Sequence, residues 1–377
     1  MMKSLILQQL KCFTSYELPV APLTVLTGFN AAGKSTALQS ILLMSQTLRR
    51  GLEGDILVLN GPLARLGSTG DVLNRMDGRA EIRLGIRLEG QILAWTFAPH
   101  ISSPGRELRL RSGSRGAETW ESSLWPSYMP RPPELDALRD TIVVGATRTG
   151  LLEAYPEPED PDLPVGDVGL YGEFAPFWYV RCADDEVELS RRCPGDETQT
   201  VRGQVDAWLG TLFPGATGSA KALPDASLYP LRFSMGRSGE VRPANVGYGL
   251  SYAFPLLVAF LTARPGAVLV IDSPEAHLHP RAQSMMGQII ARMAAAGLQI
   301  FVETHSDHLL SGIRLSVREE TLSADHAIVH FFRDAVGPNG NPDISTLRID
   351  RHGAISDWPD GFFDQAERDL AVLAGWD

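Results

Sequence analysis

From Gly28 the chain reads Gly28-Phe29-Asn30-Ala31-Ala32-Gly33-Lys34-Ser35-Thr36. Two glycines flanking a four-residue loop and followed by a lysine and a hydroxyl form a phosphate loop. The glycines let the backbone N–H groups of Asn30, Ala31, Ala32 and Gly33 converge on phosphate oxygens, while Lys34 adds a point charge for the outer phosphates. Ser35 offers a hydroxyl to Mg²⁺, and Thr36 continues into a helix whose N-terminal dipole favours an anion.

A second group of chemical residues lies far along the chain. Val268-Leu269-Val270-Ile271-Asp272 is an apolar run ending in a carboxylate, which suits an acid placed near a metal ion beside a phosphate loop. Glu275, His277 and His279 follow closely, and Glu303, His305, Asp307 and His308 form another short cluster. Glu275 and Glu303 are candidate general bases. A third feature is Val246-Gly247-Tyr248-Gly249-Leu250-Ser251, a glycine-rich turn into a helix and therefore an anion site in its own right, with Gly249 and Ser251 as its candidate residues.

The surrounding pattern supplies elements to hold these groups. Leu23-Thr24-Val25-Leu26 predicts a buried strand before the loop, and the apolar spacing through Leu38, Ile41, Leu42 and Leu48 predicts a helix after it. Further on, a helix over about 250–263, a strand over 267–271, a helix over about 280–295 and a strand over 299–302 alternate, as a parallel sheet requires. Between Ala80 and Leu110 period-two alternation broken by Gly and Pro predicts an antiparallel meander. From Gly113 to Gly172 the composition turns to Trp, Pro and Gly, and Pro156–Pro164 is acidic and proline-rich, which reads as a surface excursion or a partner contact.

Composition bounds the function. The 377 residues are 44% hydrophobic and 21% charged, typical of a folded chain able to bury a full core. The net charge of −11 argues against DNA binding driven by overall charge, so nucleic acid would need a local basic patch. Three cysteines, Cys12, Cys182 and Cys193, make neither a disulfide framework nor a CxxC metal pair, and fit a reducing cytosol. The N-terminus lacks the pattern of a secretory leader, and Arg242 to Arg264 is interrupted by Pro and Gly, so a cytoplasmic protein without a membrane span is expected.

Asp272-Ser273-Pro274-Glu275-Ala276-His277-Leu278-His279-Pro280, Glu303-Thr304-His305-Ser306-Asp307-His308 and the phosphate loop together resemble the ABC-type ATPases of the RecF, SMC and overcoming-lysogenization-defect group. The match covers roughly residues 1–73 and 245–373. The segment Trp358-Pro359-Asp360-Gly361-Phe362-Phe363-Asp364-Gln365 is similar to the C-terminal domain of unknown function of one bacterial subset. The resemblance implies an α/β P-loop fold with an antiparallel lobe and an inserted region, ATP and Mg²⁺ as cofactors, and a head-to-tail homodimer enclosing two ATP molecules. It implies that Ser251 touches the γ-phosphate held by the second subunit and that His305 is a switch histidine.

Many members carry a catalytic Glu directly after the strand Asp, where this chain has Ser273, and this leaves Glu275 and Glu303 as the bases. Gln39 and Gln46 read as a solvated helix face, and Arg148 and Gly169–Glu173, which also resemble that subset, read as surface loops. The expected organisation is an ATPase domain over 1–330, with a β lobe over about 77–112 and a variable insert over about 113–240, then a small extension over 331–377. By resemblance the function is an ATPase that regulates a separately encoded effector in anti-phage defence or DNA maintenance. A non-hydrolysing ATP-gated scaffold is the main alternative. A metal-dependent nuclease using the His, Glu and Asp clusters and a transporter ATPase subunit, for which the separation of Lys34 from Asp272 is long, are weaker ones.

Overall fold

The computed structural model describes residues 1–74, 80–103, 105–150, 152–236 and 239–375. In chain order it contains β1 (Ser4–Leu10), β2 (Phe13–Pro19), β3 (Leu23–Gly28), α1 (Lys34–Arg49), the short α2 (Thr69–Val72), β4 (Ile82–Leu88), β5 (Gln91–Pro99), β6 (Leu108–Arg115) and β7 (Glu118–Trp120). Next come α3 (Pro133–Arg139), β8 (Ile142–Val144), β9 (Ala154–Pro156), α4 (Ala175–Arg181), α5 (Val201–Leu212), β10 (Ala216–Ala220) and β11 (Leu228–Met235). The last third holds α6 (Tyr248–Thr262), β12 (Val268–Asp272), α7 (Pro280–Ala295), β13 (Gln299–Glu303), α8 (Asp307–Arg318), β14 (Ala327–Val336), β15 (Pro342–Arg348) and α9 (Gln365–Leu373).

The central sheet has the order β15-β14-β3-β13-β12-β8, with β15 antiparallel and the other five strands parallel. Its strands are apolar on successive residues because both faces are covered. Leu269, Ile271, Ile300 and Val302 enter a core shared with α4 to α8, whereas Val268, Val270 and Phe301 enter a second core with α1 and the lobe. One strand thus feeds two cores through its two-residue alternation. Helix α6 lies inside the first core and is buried on all sides beyond its first residue, which is why its sequence carries no polar stripe.

The lobe differs from the sequence expectation in its membership. Its sheet runs β2-β1-β4-β5-β6-β7, all antiparallel, so it begins with the first two strands of the chain and extends to Trp120. The expected start at 77–79 lies outside the described residues. Nor is the insert expected over about 113–240, of which 113–172 reads as a surface excursion or a partner contact, peripheral to the fold. It provides β8, the edge strand of the central sheet, together with α4 and α5, whose Trp178, Tyr179, Trp208 and Leu209 are buried in the first core. Its short strands β9, β10 and β11 form a separate three-stranded sheet. These elements are short and Pro- and Gly-punctuated, so their periodicity was too brief to read.

Position 330 falls in the middle of β14, which pairs in parallel with β3 from Ala327–Leu23 to Phe332–Gly28. The final segment is therefore joined to the sheet beside the phosphate loop, and Phe331, Leu347, Ile349 and Phe362 are buried in the first core. No helix among the described residues is long and apolar enough to cross a membrane.

His330 sits on β14 with no exposed surface. Its Nε2–H donates to the carbonyl of Pro19 at 2.7 Å, which fixes the tautomer and leaves Nδ1 to accept from Thr346 Oγ1 at 3.1 Å. Burial pushes its pKa down to about 4. The unfolded chain then binds a proton that the folded chain refuses, so stability is full above the unfolded pKa of about 6.5 and declines as pH falls toward the folded value. Urea unfolding between pH 7 and pH 4 is expected to lose on the order of 3 kcal/mol that a His330→Gln variant does not lose. Equal pH slopes for the two proteins would refute this.

Candidate functional site

The loop between β3 and α1 owes its shape to two glycines. Gly28 has φ 121°, and a β-carbon there would lie 2.1 Å from the carbonyl oxygen of Phe332 on β14. No other residue fits between these strands. Gly33 has φ 107° and ends the loop as the residue before α1, and no side chain caps that helix. The N-terminus of α1 therefore offers its amides to an anion entering the loop.

Lys34 is almost wholly buried and folds back over the loop. Its Nζ donates to the carbonyls of Phe29 at 2.7 Å and Gly28 at 3.0 Å, and lies 3.9 Å from Glu303 Oε1. Burial lowers its pKa, and Glu303 and Asp272 oppose that shift. Ser35 Oγ donates to Glu303 at 3.0 Å and 3.2 Å. Glu303 is itself raised, first by burial and then by the charge of Asp272.

Strand register brings these groups together. Asp272 is paired with Glu303, and Glu303 with Leu26, so the C-terminal ends of β12, β13 and β3 lie level at the edge from which the phosphate loop emerges. Ser273, with φ 49°, donates its hydroxyl to Asp272 Oδ1 at 2.8 Å, fixing the carboxylate from the position where a glutamate was absent. Glu275 Oε1 accepts the N–H of His305 at 3.0 Å, and Glu275 Oε2 is buried without a partner. Burial and the nearby Lys34 lower the pKa of the His305 imidazole. The arrangement can bind a polyphosphate at the loop, hold a divalent cation between Ser35 and Asp272, and place Glu303 and Glu275 beside it. Asn30, Ala31, Ala32 and Thr36 belong to the same loop and first helical turn, Ala31 with φ 60°.

Several sequence readings change. Ser251 is only 3% exposed in the single chain, and its hydroxyl makes no hydrogen bond there. The residues that stand out at the start of α6 are Gly247 and Tyr248, the latter 46% exposed and stacked on His277 at 5.1 Å. Gly249 is buried, and a β-carbon there would lie 2.8 Å from the carbonyl of His277. Gln46 is not solvated: its side chain donates to Val58 and Ala64 carbonyls and accepts from Ala64, tying α1 to the following loop. Gln39 is half-buried and accepts from Lys11.

Arg148, read as a loop residue, is instead buried against the site and donates to the carbonyls of Asp272 and Ser273 at 2.8 Å and 3.1 Å. A lone arginine in a Gly/Thr loop gave no periodic signal of this. His277, His279 and Asp307 are exposed, His279 Nδ1 accepting from Arg281 N–H at the start of α7. Among the described residues no three His, Cys, Asp or Glu side chains are grouped so as to hold a metal ion.

Residues 200–311 match a family described as "AAA domain, putative AbiEii toxin, Type IV TA system". Residues 322–373 match one described as "Protein of unknown function (DUF3696)". No curated protein matches the sequence. Among solved structures, the fold is similar to an SMC head bound to the C-winged helix domain of ScpA, at 12% identity over 92% of this chain and 98% of that one, with TM-score 0.53. It is also similar to an Smc head domain with an extended coiled coil bound to the C-terminal domain of ScpA from Pyrococcus furiosus, at 12% identity over 99% of both chains, with TM-score 0.51.

The burial at α6 makes a contrast that is measurable. Ser251→Ala removes a buried hydroxyl that makes no hydrogen bond and is expected to leave stability within about 1 kcal/mol of the parent. Gly249→Ala forces a β-carbon against a backbone oxygen and is expected to cost about 1–3 kcal/mol. Chemical denaturation of the two variants checks the order, and a larger loss for Ser251→Ala would contradict the environment described.

Proposed function

We propose that this chain, which has the ABC/SMC-like P-loop ATPase fold and the expected C-terminal family segment, binds ATP with Mg²⁺ and hydrolyses it as a conformational switch. The observation that carries the reading is the convergence of Lys34, Ser35, Asp272 and Glu303 at the mouth of a phosphate loop whose helix has no side-chain cap.

In this reading the amides of Asn30 to Lys34 take the phosphates. Lys34 gives up the carbonyls of Gly28 and Phe29 for a phosphate oxygen, and Ser35 gives up Glu303. Bound Mg²⁺ supplies neutralisation of phosphate charge, held by Ser35 and Asp272. With Ser273 supporting Asp272, proton acceptance from the attacking water falls to Glu275 or Glu303, and the backbone bond to His305 orients Glu275. Glu303 is bonded to Ser35 and Glu275 lies in the loop that follows Asp272, and substitution separates the two assignments.

The same reading includes a two-fold homodimer. The exposed start of α6 at Gly247 and Tyr248, stacked on His277, is the surface of this chain that would meet ATP on a second copy, in place of the buried Ser251. A separately encoded effector, answering to the ATP-bound dimer in defence or DNA maintenance, remains part of the proposal by resemblance. The non-hydrolysing scaffold differs from it only in turnover.

Lys34→Ala is expected to weaken Mg-ATP binding at least about 100-fold, because the loop loses its only buried cation for the phosphates. Isothermal titration reads this directly, and unchanged affinity would overturn the phosphate-loop assignment. Glu275→Gln or Glu303→Gln, whichever is the base, is expected to cut phosphate release about 100-fold or more while ATP binding persists. If the wild-type chain forms an ATP-dependent dimer by mass but releases no phosphate, the scaffold reading replaces the hydrolytic one.

A further inference from the structure

We propose that Arg148 is a positioning residue that couples the loop carrying Asp272 and Glu275 to the first turns of α6, so that nucleotide bound at the phosphate loop is reported to the helix that would face a second chain. This rests on the nucleotide reading above.

Three observations place Arg148 in that role. It follows β8, which is paired in parallel with β12 through Val144 and Ile271, so the loops after both strands emerge at the same edge of the sheet. From there its Nη2 donates to two successive carbonyls, those of Asp272 and Ser273, at 2.8 Å and 3.1 Å. On its other side its guanidinium lies 5.5 Å from the ring of Tyr252 on α6. One side chain therefore touches both the metal-side loop and the helix.

The joint is built from groups that are expensive to bury. Arg148 is 4% exposed, yet Nε and Nη1 have no partner, and the hydroxyl of Ser251 and Oε2 of Glu275 are likewise buried without one. Buried polar atoms are costly unless they are paired, so this joint between the loop after β12 and α6 is polar and closely packed rather than an apolar contact. The charge is retained: burial lowers the Arg148 pKa to about 10, with Asp272 and Glu275 opposing the shift, so the guanidinium stays protonated at neutral pH.

Helix α6 is suited to receive the movement. Pro255 has no N–H, so the carbonyl of Ser251 has no partner one turn on, and the first turn is not tied to the rest of the helix by that bond. What holds it is side-chain packing: Tyr252 lies edge-on to His277 at 4.6 Å, and Gly150, two residues after Arg148, abuts Ser251 and Tyr252 so closely that a β-carbon would sit 3.0 Å from the Tyr252 ring. A shift of the Asp272–Ser273 backbone on metal and nucleotide binding pulls Arg148, and Arg148 moves Tyr252 and the turn that precedes it.

The test follows hydrogen exchange of residues 247–252 in the full chain, with and without ATP and Mg²⁺, beside ATP affinity measured by titration of the same samples. In the wild type, ATP is expected to slow exchange in that segment by about threefold or more. Arg148→Ala and Tyr252→Leu are each expected to bind ATP within about threefold of wild-type affinity and to lose the slowing. Arg148→Lys keeps the charge without the planar fork and is expected to fall between. If Arg148→Ala does not melt cooperatively, the other two variants carry the test.

Normal slowing in these variants overturns the proposal. So does a wild type that binds ATP through Lys34 without any change in 247–252, which would leave the nucleotide reading intact. A wild type that does not bind ATP overturns both.

Discussion

The C-terminal ends of β3, β13 and β12 lie level because Leu26 is paired with Glu303 and Glu303 with Asp272, and the site depends on that register. A slip of one residue would turn every side chain on a strand to the opposite face and exchange the two cores. The register is held by apolar contacts on both sides of the sheet, Phe301 and Val270 toward α1 and the lobe, Ile300 and Ile271 toward α6 and α7. The carboxylates and the phosphate loop are thus positioned by hydrophobic burial rather than by one another, as the charges themselves repel or are costly to bury. Glu303 and Asp272 are like charges brought close, and Lys34 and Ser35 are the groups that make this tolerable.

The resting site is self-occupied. Lys34 is satisfied by two loop carbonyls, Ser35 by Glu303, Asp272 by Ser273 and Glu275 by the backbone of His305. In the proposed nucleotide-bound site Lys34 and Ser35 would exchange these partners while the bonds to Asp272 and Glu275 stay, so binding energy would be partly offset by the loss of internal hydrogen bonds. A nucleotide would act as the proposed switch only through such a difference, since only differential interaction with two arrangements can shift an equilibrium between them. Ser273 fits this picture: its hydroxyl donates to Asp272 and steadies the carboxylate without adding a further negative charge.

The lobe, the insert and the C-terminal segment are less separate than their compositions suggest. β14 lies against Gly28 so closely that its backbone selects glycine there, and β8 from the insert closes the other edge beside β12. The C-terminal segment and the insert therefore form the two flanks of the central sheet, and Arg148 reaches the site from the insert.

What the sequence determined by itself is local. The phosphate loop, the strand ending in Asp272 and the alternating strands and helices after residue 245 were legible because glycine geometry, strand hydrophobicity and helix periodicity act over a few residues, and α7 begins and ends where the pattern placed it. The bonds from Ser35 to Glu303 and from Glu275 to His305 join positions far apart in the chain, and no local pattern encodes them. The tertiary structure alone decided that Ser251 and Gln46 are buried, that the insert contributes to the central sheet, and that Arg148 lies against the backbone of Asp272 and Ser273. The physical reason is that burial and electrostatic environment depend on which surfaces meet after the chain has folded, and a serine, glutamine or arginine carries the same local preferences whether another element covers it or water does.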